Sequence, residues 1–370
     1  MKILQTIENY FQRAARDALR RARPRRKASS LPLASLSRIL LVRTDKIGDA
    51  VFSTAFFRVL RDAYPTAKID LVLGRRNHAI APLLPPLFDE ILVTPRGAGR
   101  MLQLIRRFRA NRYDLAINLL GSDSNTAAAI TLLSGARFKL GFSNAASAFY
   151  DVVVPLGSEP VPFARRVLSL APPLGISLPD ESQLPLSLAI PPDAHKNVRA
   201  DIDRIRSLGR PIVMINISCT MPERFWGPDH SVRLAHDLRR DGFEPVIVAA
   251  PDDAAMQQHI ANAGGAIAIP PRSSLAEFVA VLSAADLVIT PDTSVTHICA
   301  ALGKPTVMTT ESVYKAIEGA AWCVPNRALA GSGHTVRDIP YDTIASAVRD
   351  LAQEVLTDAR PRSAAGAAVS

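Results

Sequence analysis

Three cysteines among 370 residues are too few and too scattered for a disulfide framework or a cysteine-based metal site. Cys219, Cys299 and Cys323 lack the paired spacing of zinc ligands, and an odd number cannot pair completely. This scarcity is typical of a reducing compartment, and we expect a cytoplasmic protein. The seven histidines are equally scattered. The sequence therefore predicts chemistry without a bound metal or other cofactor.

Long apolar runs are also missing. No uninterrupted apolar stretch reaches the roughly 18 to 20 residues that a membrane-spanning helix needs. Polar residues interrupt the start of the chain, so we expect no secretory signal there. Aromatic residues make up only 6% of the chain, whereas 48% of residues are hydrophobic. Small aliphatic side chains must fill the interior, as in helices packed on parallel sheets.

Acidic residues are scarce in residues 1–30, which carry nine basic and two acidic side chains of a chain with net charge +10. Apolar residues recur there at helical spacing, with most arginines off that face. Such a helix can lie on an anionic membrane surface, here the inner face of the cytoplasmic membrane. A solvated extension explains the same composition. Nucleic-acid binding is disfavoured because no nucleic-acid-binding motif follows the basic segment.

Short apolar runs alternate with helical patterns along most of the chain, and a proline-rich stretch interrupts them near 172–192. This alternation predicts an α/β protein with two doubly wound, mostly parallel sheets. The predicted parts are an N-terminal extension and linker at 1–36, a first α/β domain at 37–185, a second α/β domain at 186–355 and a disordered tail at 356–370. Ligands of such domains bind outside the carboxyl ends of the strands.

The individual elements follow from apolar periodicity and helix start signals. The predicted strands are 39–43, 68–73, 90–93, 114–119, 151–154, 211–216, 245–249, 266–269, 287–290 and 305–309. The predicted helices are 49–63, 99–111, 124–134, 193–207, 229–241, 252–263, 274–284, 294–302 and 341–355. No internal repeat is visible in the sequence.

The junction after the first strand, RTDKIGDAV at residues 43–51, places a carboxylate where a helix begins. Gly48 lets the backbone approach a ligand closely, and Asp49 can accept a proton from a hydroxyl group. Asp49 can equally cap the helix, which is worth about 1 kcal/mol. The junction matches neither of the standard glycine-rich phosphate loops. A nicotinamide-dependent oxidoreductase and an ATPase are therefore disfavoured.

A second junction, TPDTSVTH at residues 290–297, combines polar side chains with a predicted helix N-terminus. Thr293 or Ser294 can cap this helix, and the N–H groups behind them can bind a diphosphate. His297, one turn further on, can meet the same phosphates. Asp292 suits ribose hydroxyls or the helix dipole better than a phosphate. A capped helix with a buried histidine is the simpler alternative.

Other strand ends of the second domain offer further candidates. Thr220 and Arg224 can present a hydroxyl and a guanidinium to a diphosphate, while the neighbouring Trp226 is expected to pack within its loop. Asp252 or Asp253 lies where nucleotide-binding α/β domains commonly place a ribose-binding acid. A plain helix start explains these two acids as well.

Four segments together resemble glycosyltransferase family 9, the lipopolysaccharide heptosyltransferase family. They are RTDKIGDAV at 43–51, YDLAIN at 113–118, RFWGP at 224–228 and DTSVTHICAALGKPT at 292–306. The resemblance covers about residues 38–355. It implies the GT-B fold, in which two Rossmann-like domains, here an acceptor-side domain at 37–185 and a nucleotide-sugar donor-binding domain at 186–355, face each other across a cleft. It also implies an inverting, metal-independent transfer of a sugar, typically heptose from an ADP-activated donor, to a growing lipopolysaccharide core.

The resemblance assigns roles to the candidate residues. Asp49 matches the proposed general base, and Asp252, with Asp253 as an equally good alignment, matches an acid that contacts the nucleoside. The positions that match diphosphate- and donor-binding residues are Thr220, Arg224, Asp292, Thr293, Ser294 and His297. Lysine is usual at the Arg224 position, and glycine is common at the Ser294 position.

Two segments depart from the family pattern. NLLGSDSN at 118–125 lacks an aspartate and a lysine that are often found on the acceptor side, and MTTE at 308–311 replaces an apolar-Phe-Gly segment. The acceptor therefore stays open. Arg75 and Arg76, after the strand 68–73, are candidates for binding an anionic acceptor such as a phosphorylated or keto-acid sugar. A solvated loop is the alternative.

The leading hypothesis is a glycosyltransferase that takes a nucleotide sugar as donor and a glycolipid or oligosaccharide as acceptor. One alternative is a GT-B transferase or epimerase that acts on a different nucleotide sugar. Another is a catalytically silent nucleotide-sugar-binding protein, which would keep its biological activity after Asp49→Asn.

Overall fold

The computed structural model describes residues 31, 33 and 36–356, which form two compact units divided between Ala189 and Ile190. The division lies slightly beyond the boundary predicted between residues 185 and 186. The predictions for the basic segment 1–30 and for most of the tail concern residues outside the described part of the chain. Within that part, no helix combines the length and the apolar character needed to cross a bilayer.

Unit 1 contains a six-stranded parallel sheet in the order β3-β2-β1-β4-β5-β6. Its strands are β1 (Arg38–Arg43), β2 (Lys68–Leu73), β3 (Glu90–Val93), β4 (Leu115–Asn118), β5 (Phe138–Phe142) and β6 (Val152–Val154). Its α-helices are α1 (Ile47–Phe52), α2 (Thr54–Ala63), α3 (Ala98–Asn111), α4 (Asn125–Leu133) and α5 (Phe163–Leu168). The central strands β1 and β4 are almost wholly buried, which explains their continuous apolar sequences.

Unit 2 contains a second six-stranded parallel sheet, in the order β12-β11-β10-β7-β8-β9. Its strands are β7 (Ile212–Asn216), β8 (Glu244–Val248), β9 (Ile267–Ala268), β10 (Leu287–Pro291), β11 (Thr306–Thr310) and β12 (Asn326–Ala330). Its α-helices are α6 (Pro192–Arg206), α7 (Pro228–Arg240), α8 (Ala254–Gly264), α9 (Leu275–Leu282), α10 (Ser294–Ala301), α11 (Val313–Gly319) and α12 (Tyr341–Leu356). The last helix, α12, buries its apolar face in the core of unit 2.

The two units share one topology. Counted from the first strand of each unit, both sheets read 3-2-1-4-5-6, the doubly wound Rossmann order, which confirms the predicted fold of each domain. Aspartates at equivalent positions of the two units make equivalent hydrogen bonds. Asp114 accepts hydrogen bonds from the N–H groups of Ser37 and Arg38 at 2.9 Å, and Asp286 accepts one from Ile212 at 2.7 Å. In each unit an aspartate before the fourth strand thus fixes the start of the first.

Among the described strands and α-helices, the sequence did not predict β5, β12, α5 or α11. In β5, a lysine and a glycine interrupt the apolar pattern. Lys139 is nevertheless buried and donates to the Ala136 carbonyl at 2.8 Å, and Gly141 leaves room for the ring of Tyr150. β12 is only half-buried along its length, which is typical of an edge strand and leaves a weak pattern.

The single helix predicted at 49–63 was wrong, because Ser53 divides it into α1 and α2. The Ser53 hydroxyl donates to the Asp49 carbonyl at 2.6 Å and accepts from Nε of Arg43 at 3.0 Å. A side chain that bonds to the carbonyl of the preceding turn bends a helix. The break leaves α1 as a short, separately anchored helix directly after β1.

Candidate functional site

A cavity of about 570 Å³, here called the unit 1 cavity, opens at the carboxyl ends of β1, β2, β3 and β4. This is where a doubly wound domain binds its ligands. The charged side chains in its lining are Asp45, Lys46, Arg75, Arg76, Arg96 and Asp123, joined by several hydroxyl-bearing residues. Four cations face two anions, so the cavity suits an anionic, hydroxylated ligand.

The loop after β2 is tied closely to the end of β1. A side chain at Gly74 would place its Cβ only 2.2 Å from the Thr44 carbonyl oxygen, so glycine is required there. Asn77 is buried, accepts the Gly74 N–H at 2.7 Å and donates to the Arg43 carbonyl at 2.9 Å. The exposed Arg75 and Arg76, predicted as acceptor-side candidates, lie between these anchors and line the cavity.

Arg43 anchors the helix that carries Asp49. Its side chain is only 2% exposed, and its Nε donates to the Asp49 carbonyl and to Ser53, both at 3.0 Å. Its Nη1 donates to the Leu119 carbonyl at 2.6 Å and to Oδ2 of Asp45 at 3.2 Å. One buried guanidinium therefore joins β1, α1 and the end of β4.

Asp49 is the third residue of α1 and is partly exposed, next to the buried Gly48. Its Oδ2 accepts the N–H of Lys46 at 3.0 Å, so the side chain does cap the helix. A carboxylate has two oxygens and several acceptor sites, and capping does not prevent it from accepting a proton. Asp49 is not among the described residues that line the unit 1 cavity. Its sequence neighbours Asp45 and Lys46 do line it.

Asp45 was not among the predicted site residues, although it stands inside the RTDKIGDAV segment. Burial raises its pKa to about 6, a rise that Arg43 opposes and the charge of Asp49 reinforces. Its Oδ1 is buried and has no hydrogen-bond partner in the described part of the chain. Asp45 therefore carries a strained charge at neutral pH, directly beside Asp49 and the cavity.

We expect this strain to make stability depend on pH. A carboxyl group whose pKa is raised by folding destabilises the protein as pH rises from its ordinary value of 3.8 through about 6. Urea unfolding of Asp45→Asn and of wild type should show the variant gaining about 2 kcal/mol relative to wild type between about pH 4.5 and about pH 7.5. Asp62→Asn, which changes an exposed carboxylate on α2, should show no such drift. A difference in unfolding free energy between Asp45→Asn and wild type that stays constant over this pH range would contradict the raised pKa of Asp45.

In unit 2, Arg224 lies between two carboxylates at the carboxyl ends of the strands. Its Nη2 is 3.1 Å from Oε1 of Glu311, after β11, and its Nη1 is 3.7 Å from Oδ2 of Asp292, after β10. Nζ of Lys315, in the first turn of α11, also pairs with Oε1 of Glu311. We call these four residues the Arg224 cluster; their side chains are between 11% and 38% exposed.

Glu311 is ionised in this cluster. Burial alone would raise its pKa, but the Lys315 ammonium, its own backbone N–H, the Thr310 hydroxyl and the Arg224 charge together lower the pKa to about 2. The sequence prediction missed both Glu311 and Lys315. The signal was present in MTTE at 308–311, which was recognised as a departure without a function attached to it.

The helix start beside the cluster has the predicted form. Thr293 is the N-cap of α10 and accepts the Val295 N–H at 3.3 Å, while Ser294 is the first helical residue. His297 is buried within α10, at 6% exposure. Asp292 donates its N–H to the Thr309 carbonyl at 2.8 Å, which fixes it between β10 and β11. The structure thus brings Arg224 and Asp292 together at the start of α10.

The remaining predicted residues lie in neighbouring loops. Thr220 is exposed in the loop after β7. Asp252 is exposed, whereas Oδ2 of Asp253 accepts the Ser218 hydroxyl at 2.5 Å and so ties the loop after β8 to the loop after β7. Trp226 is buried, but its ring stacks outside its own loop, on His230 of α7 at 4.9 Å and on Tyr341 of α12 at 5.7 Å. That stacking holds the segment that carries Arg224.

Comparison with known proteins gives a consistent result. The family model described as glycosyltransferase family 9 (heptosyltransferase) matches residues 101–315. The chain is 28% identical over 280 residues to lipopolysaccharide heptosyltransferase 3 of Escherichia coli, spanning 70% of this chain and 79% of that protein. It is 21% identical over 279 residues to the lipopolysaccharide core heptosyltransferase OpsX of Haemophilus influenzae, spanning 73% and 77%.

Solved structures agree on the fold. A glycosyltransferase family 9 protein from Veillonella parvula superposes with a TM-score of 0.75 at 19% identity, covering 88% of this chain and all of that one. Escherichia coli heptosyltransferase WaaC with ADP gives a TM-score of 0.65 at 18% identity, covering 85% and 99%. Together with the two Rossmann-like units, these likenesses confirm the GT-B fold class.

Proposed function

Because the chain belongs to glycosyltransferase family 9, we propose that it transfers heptose from an ADP-activated donor to a lipopolysaccharide-type acceptor. The names of its relatives support the sugar and the glycan. One solved relative was crystallised with ADP and also with ADP-2-deoxy-2-fluoro heptose, which supports the nucleotide. The observation that carries the proposal is the Arg224 cluster at the N-terminus of α10 in a family 9 chain.

We assign the donor to unit 2. A diphosphate would bind Arg224 and the N-terminus of α10, with Thr220 and His297 as further donors of hydrogen bonds. Asp253 or Asp252 would bind the ribose. As the bond to the sugar breaks, the leaving ADP gains negative charge. Fixed cations and helix N–H groups can stabilise that charge without a metal ion.

We assign the acceptor to the unit 1 cavity. Asp49, which is hydrogen-bonded to the cavity-lining Lys46, would take the proton of an acceptor hydroxyl presented at the edge of the cavity. The oxygen of that hydroxyl forms the new bond to the anomeric carbon as the bond to the diphosphate breaks. Attack from the side opposite the leaving group inverts the anomeric configuration. Arg75, Arg76 and Arg96 give the cavity the charge to hold an acidic or phosphorylated acceptor.

We also propose that the protein works at the cytoplasmic face of a membrane. The basis is the basic amphipathic sequence of residues 1–30 together with the lipid-linked character of the proposed acceptor. An anionic membrane surface would be the partner of that segment.

The donor assignment predicts a nucleotide-specific thermal shift. ADP at about 100 times its Kd should stabilise the protein by about 2.7 kcal/mol and raise the unfolding midpoint by several degrees. Arg224→Met should lose most of that shift, because it removes the guanidinium that would hold the diphosphate. The matched variant Arg327→Met, in the same unit and paired with Glu354, should keep it. UDP, GDP and CDP, each added alone in the same assay, test whether the shift is specific for ADP.

The outcomes separate the hypotheses. A shift with UDP or GDP instead of ADP would support the alternative transferase that uses a different nucleotide sugar. A protein that folds but responds to none of the four nucleotides would contradict the donor assignment. Binding of ADP without any turnover of ADP-heptose, with suitable acceptors, would favour a silent nucleotide-sugar-binding protein.

A further inference from the structure

The carboxylate of Glu311 lies between two cations that come from different elements. Its Oε1 contacts Nη2 of Arg224 at 3.1 Å and also Nζ of Lys315, while its Oε2 accepts the Thr310 hydroxyl at 3.0 Å. The side chain is only 11% exposed. An anionic group held by a guanidinium, an ammonium and a hydroxyl has the surroundings that proteins offer to a phosphate.

The charges of the Arg224 cluster balance without any ligand. Two cations, Arg224 and Lys315, face two anions, Asp292 and Glu311. A diphosphate that binds Arg224 therefore meets a guanidinium already in contact with a carboxylate, and it meets the negative charge of that carboxylate as well. Because the cluster is mostly buried, water and salt screen this repulsion less than at an open surface.

Glu311 and Asp292 differ in how they meet Arg224. The Asp292 carboxylate is 3.7 Å from the guanidinium, and the Asp292 backbone is fixed between β10 and β11. The Glu311 contact is shorter, and Glu311 alone reaches both cations. Lys315, at 38% exposure, is the most exposed partner, and its long aliphatic stem lets the ammonium group turn from a carboxylate to a phosphate.

We propose that Glu311 is an internal counterion that competes with the donor's diphosphate for Arg224 and Lys315. Lys315 is then a second cation of the diphosphate site. In the unliganded protein Glu311 pairs with both cations. On binding, the diphosphate takes its place, and Glu311 regains the cations as the nucleoside diphosphate leaves. Glu311 thus weakens binding of donor and product alike. This inference rests on the proposed function, because it takes the ligand of Arg224 to be a nucleotide-sugar donor.

The competing explanation is that Glu311 merely positions Arg224, and it predicts the opposite sign. If Glu311 competes, Glu311→Gln tightens the binding of a diphosphate. If Glu311 only positions the guanidinium, the same substitution weakens it. Glutamine keeps the size of the side chain and its bond to Thr310 while removing the charge.

The test is calorimetric titration of ADP, pyrophosphate and adenosine into four proteins. We expect Glu311→Gln to bind ADP and pyrophosphate about 3- to 10-fold more tightly than wild type, the effect of releasing one or two partly exposed ion pairs, and to bind adenosine unchanged. Lys315→Met should bind ADP at least about threefold more weakly. Glu354→Gln removes the same charge from another ion pair of unit 2 and should match wild type.

Several results would overturn the inference. Unchanged or weaker ADP binding by Glu311→Gln would show that Glu311 does not compete, and unchanged binding by Lys315→Met would remove the second cation. If Glu311→Gln does not fold, Glu311→Asp applies the same test of sign, because it draws the carboxylate back by one methylene and should also tighten ADP. Absence of any ADP or pyrophosphate binding in folded wild type would instead refute the donor site itself, together with this inference.

Discussion

Asp49→Asn is expected to lower kcat by about 10² to 10⁴ while the Kd for ADP stays within about twofold of wild type. The amide cannot take a proton from the attacking hydroxyl. It can still accept the Lys46 N–H that caps α1, so the helix start survives. The proposed donor site lies in unit 2 and is untouched by the substitution. The loss should therefore appear in the chemical step alone.

Release of ADP from ADP-heptose, measured at saturating donor with a lipopolysaccharide-core acceptor, gives kcat, and calorimetry gives the Kd for ADP. Asp62→Asn is the matched control, since it removes an exposed carboxylate from the neighbouring helix α2. A loss of less than tenfold would exclude Asp49 as the base. Normal turnover, with thermal stability unchanged because the amide keeps the cap, would show that Asp49 only caps the helix.

Arg43→Met is expected to destabilise unit 1 by about 3 to 5 kcal/mol, the usual cost of removing one partner from a buried ion pair. The substitution leaves Asp45 buried without its counterion, and the pKa of that carboxyl, which Arg43 lowers, would rise further. It also leaves the carbonyl of Leu119 and the hydroxyl of Ser53 without their donor. The apolar length of methionine preserves packing against Phe52, so the loss reports on polar contacts.

The two tryptophans make this measurement specific, because Trp226 and Trp322 both belong to unit 2. Circular dichroism should show that part of the unfolding transition moves to a lower urea concentration. The transition followed by tryptophan fluorescence, which reports on unit 2, should keep its midpoint. Arg107→Met, which removes a surface pair with Glu90, should cost less than about 1 kcal/mol. A stability loss of that size for Arg43→Met would contradict its role as the anchor of α1.

Much of this fold could be predicted because its signals are local. The strands β1, β7 and β10 are buried on both faces and appear in the sequence as continuous apolar runs. Thr293 and Ser294, which are typical helix-capping residues, mark the start of α10. Contacts between residues that lie far apart in sequence resisted prediction. Arg224 and Glu311 are 87 positions apart, and only the parallel sheet brings their side chains within 3.1 Å of each other.

Arg43 and Asp45 show a second limit. The sequence placed both residues in the motif that contains Asp49 and assigned them no role of their own. No local pattern shows that an arginine at the end of a strand is buried and bonded to Leu119, 76 positions away. The identical topology of the two units also left no trace as a sequence repeat. What the units share is strand order and the placement of single carboxylates, such as Asp114 and Asp286, not a run of matching residues.

The position of the division at Ala189 and Ile190 has an evolutionary consequence. Each unit is one continuous stretch of chain, and the last helix of unit 2, α12, packs in the core of that same unit. A single crossover between genes at that point would exchange one complete unit for another without cutting through either core. Under the proposed assignment of the donor to unit 2 and the acceptor to unit 1, the two preferences can be inherited separately, and chimaeras joined there are the natural way to recombine them in the laboratory.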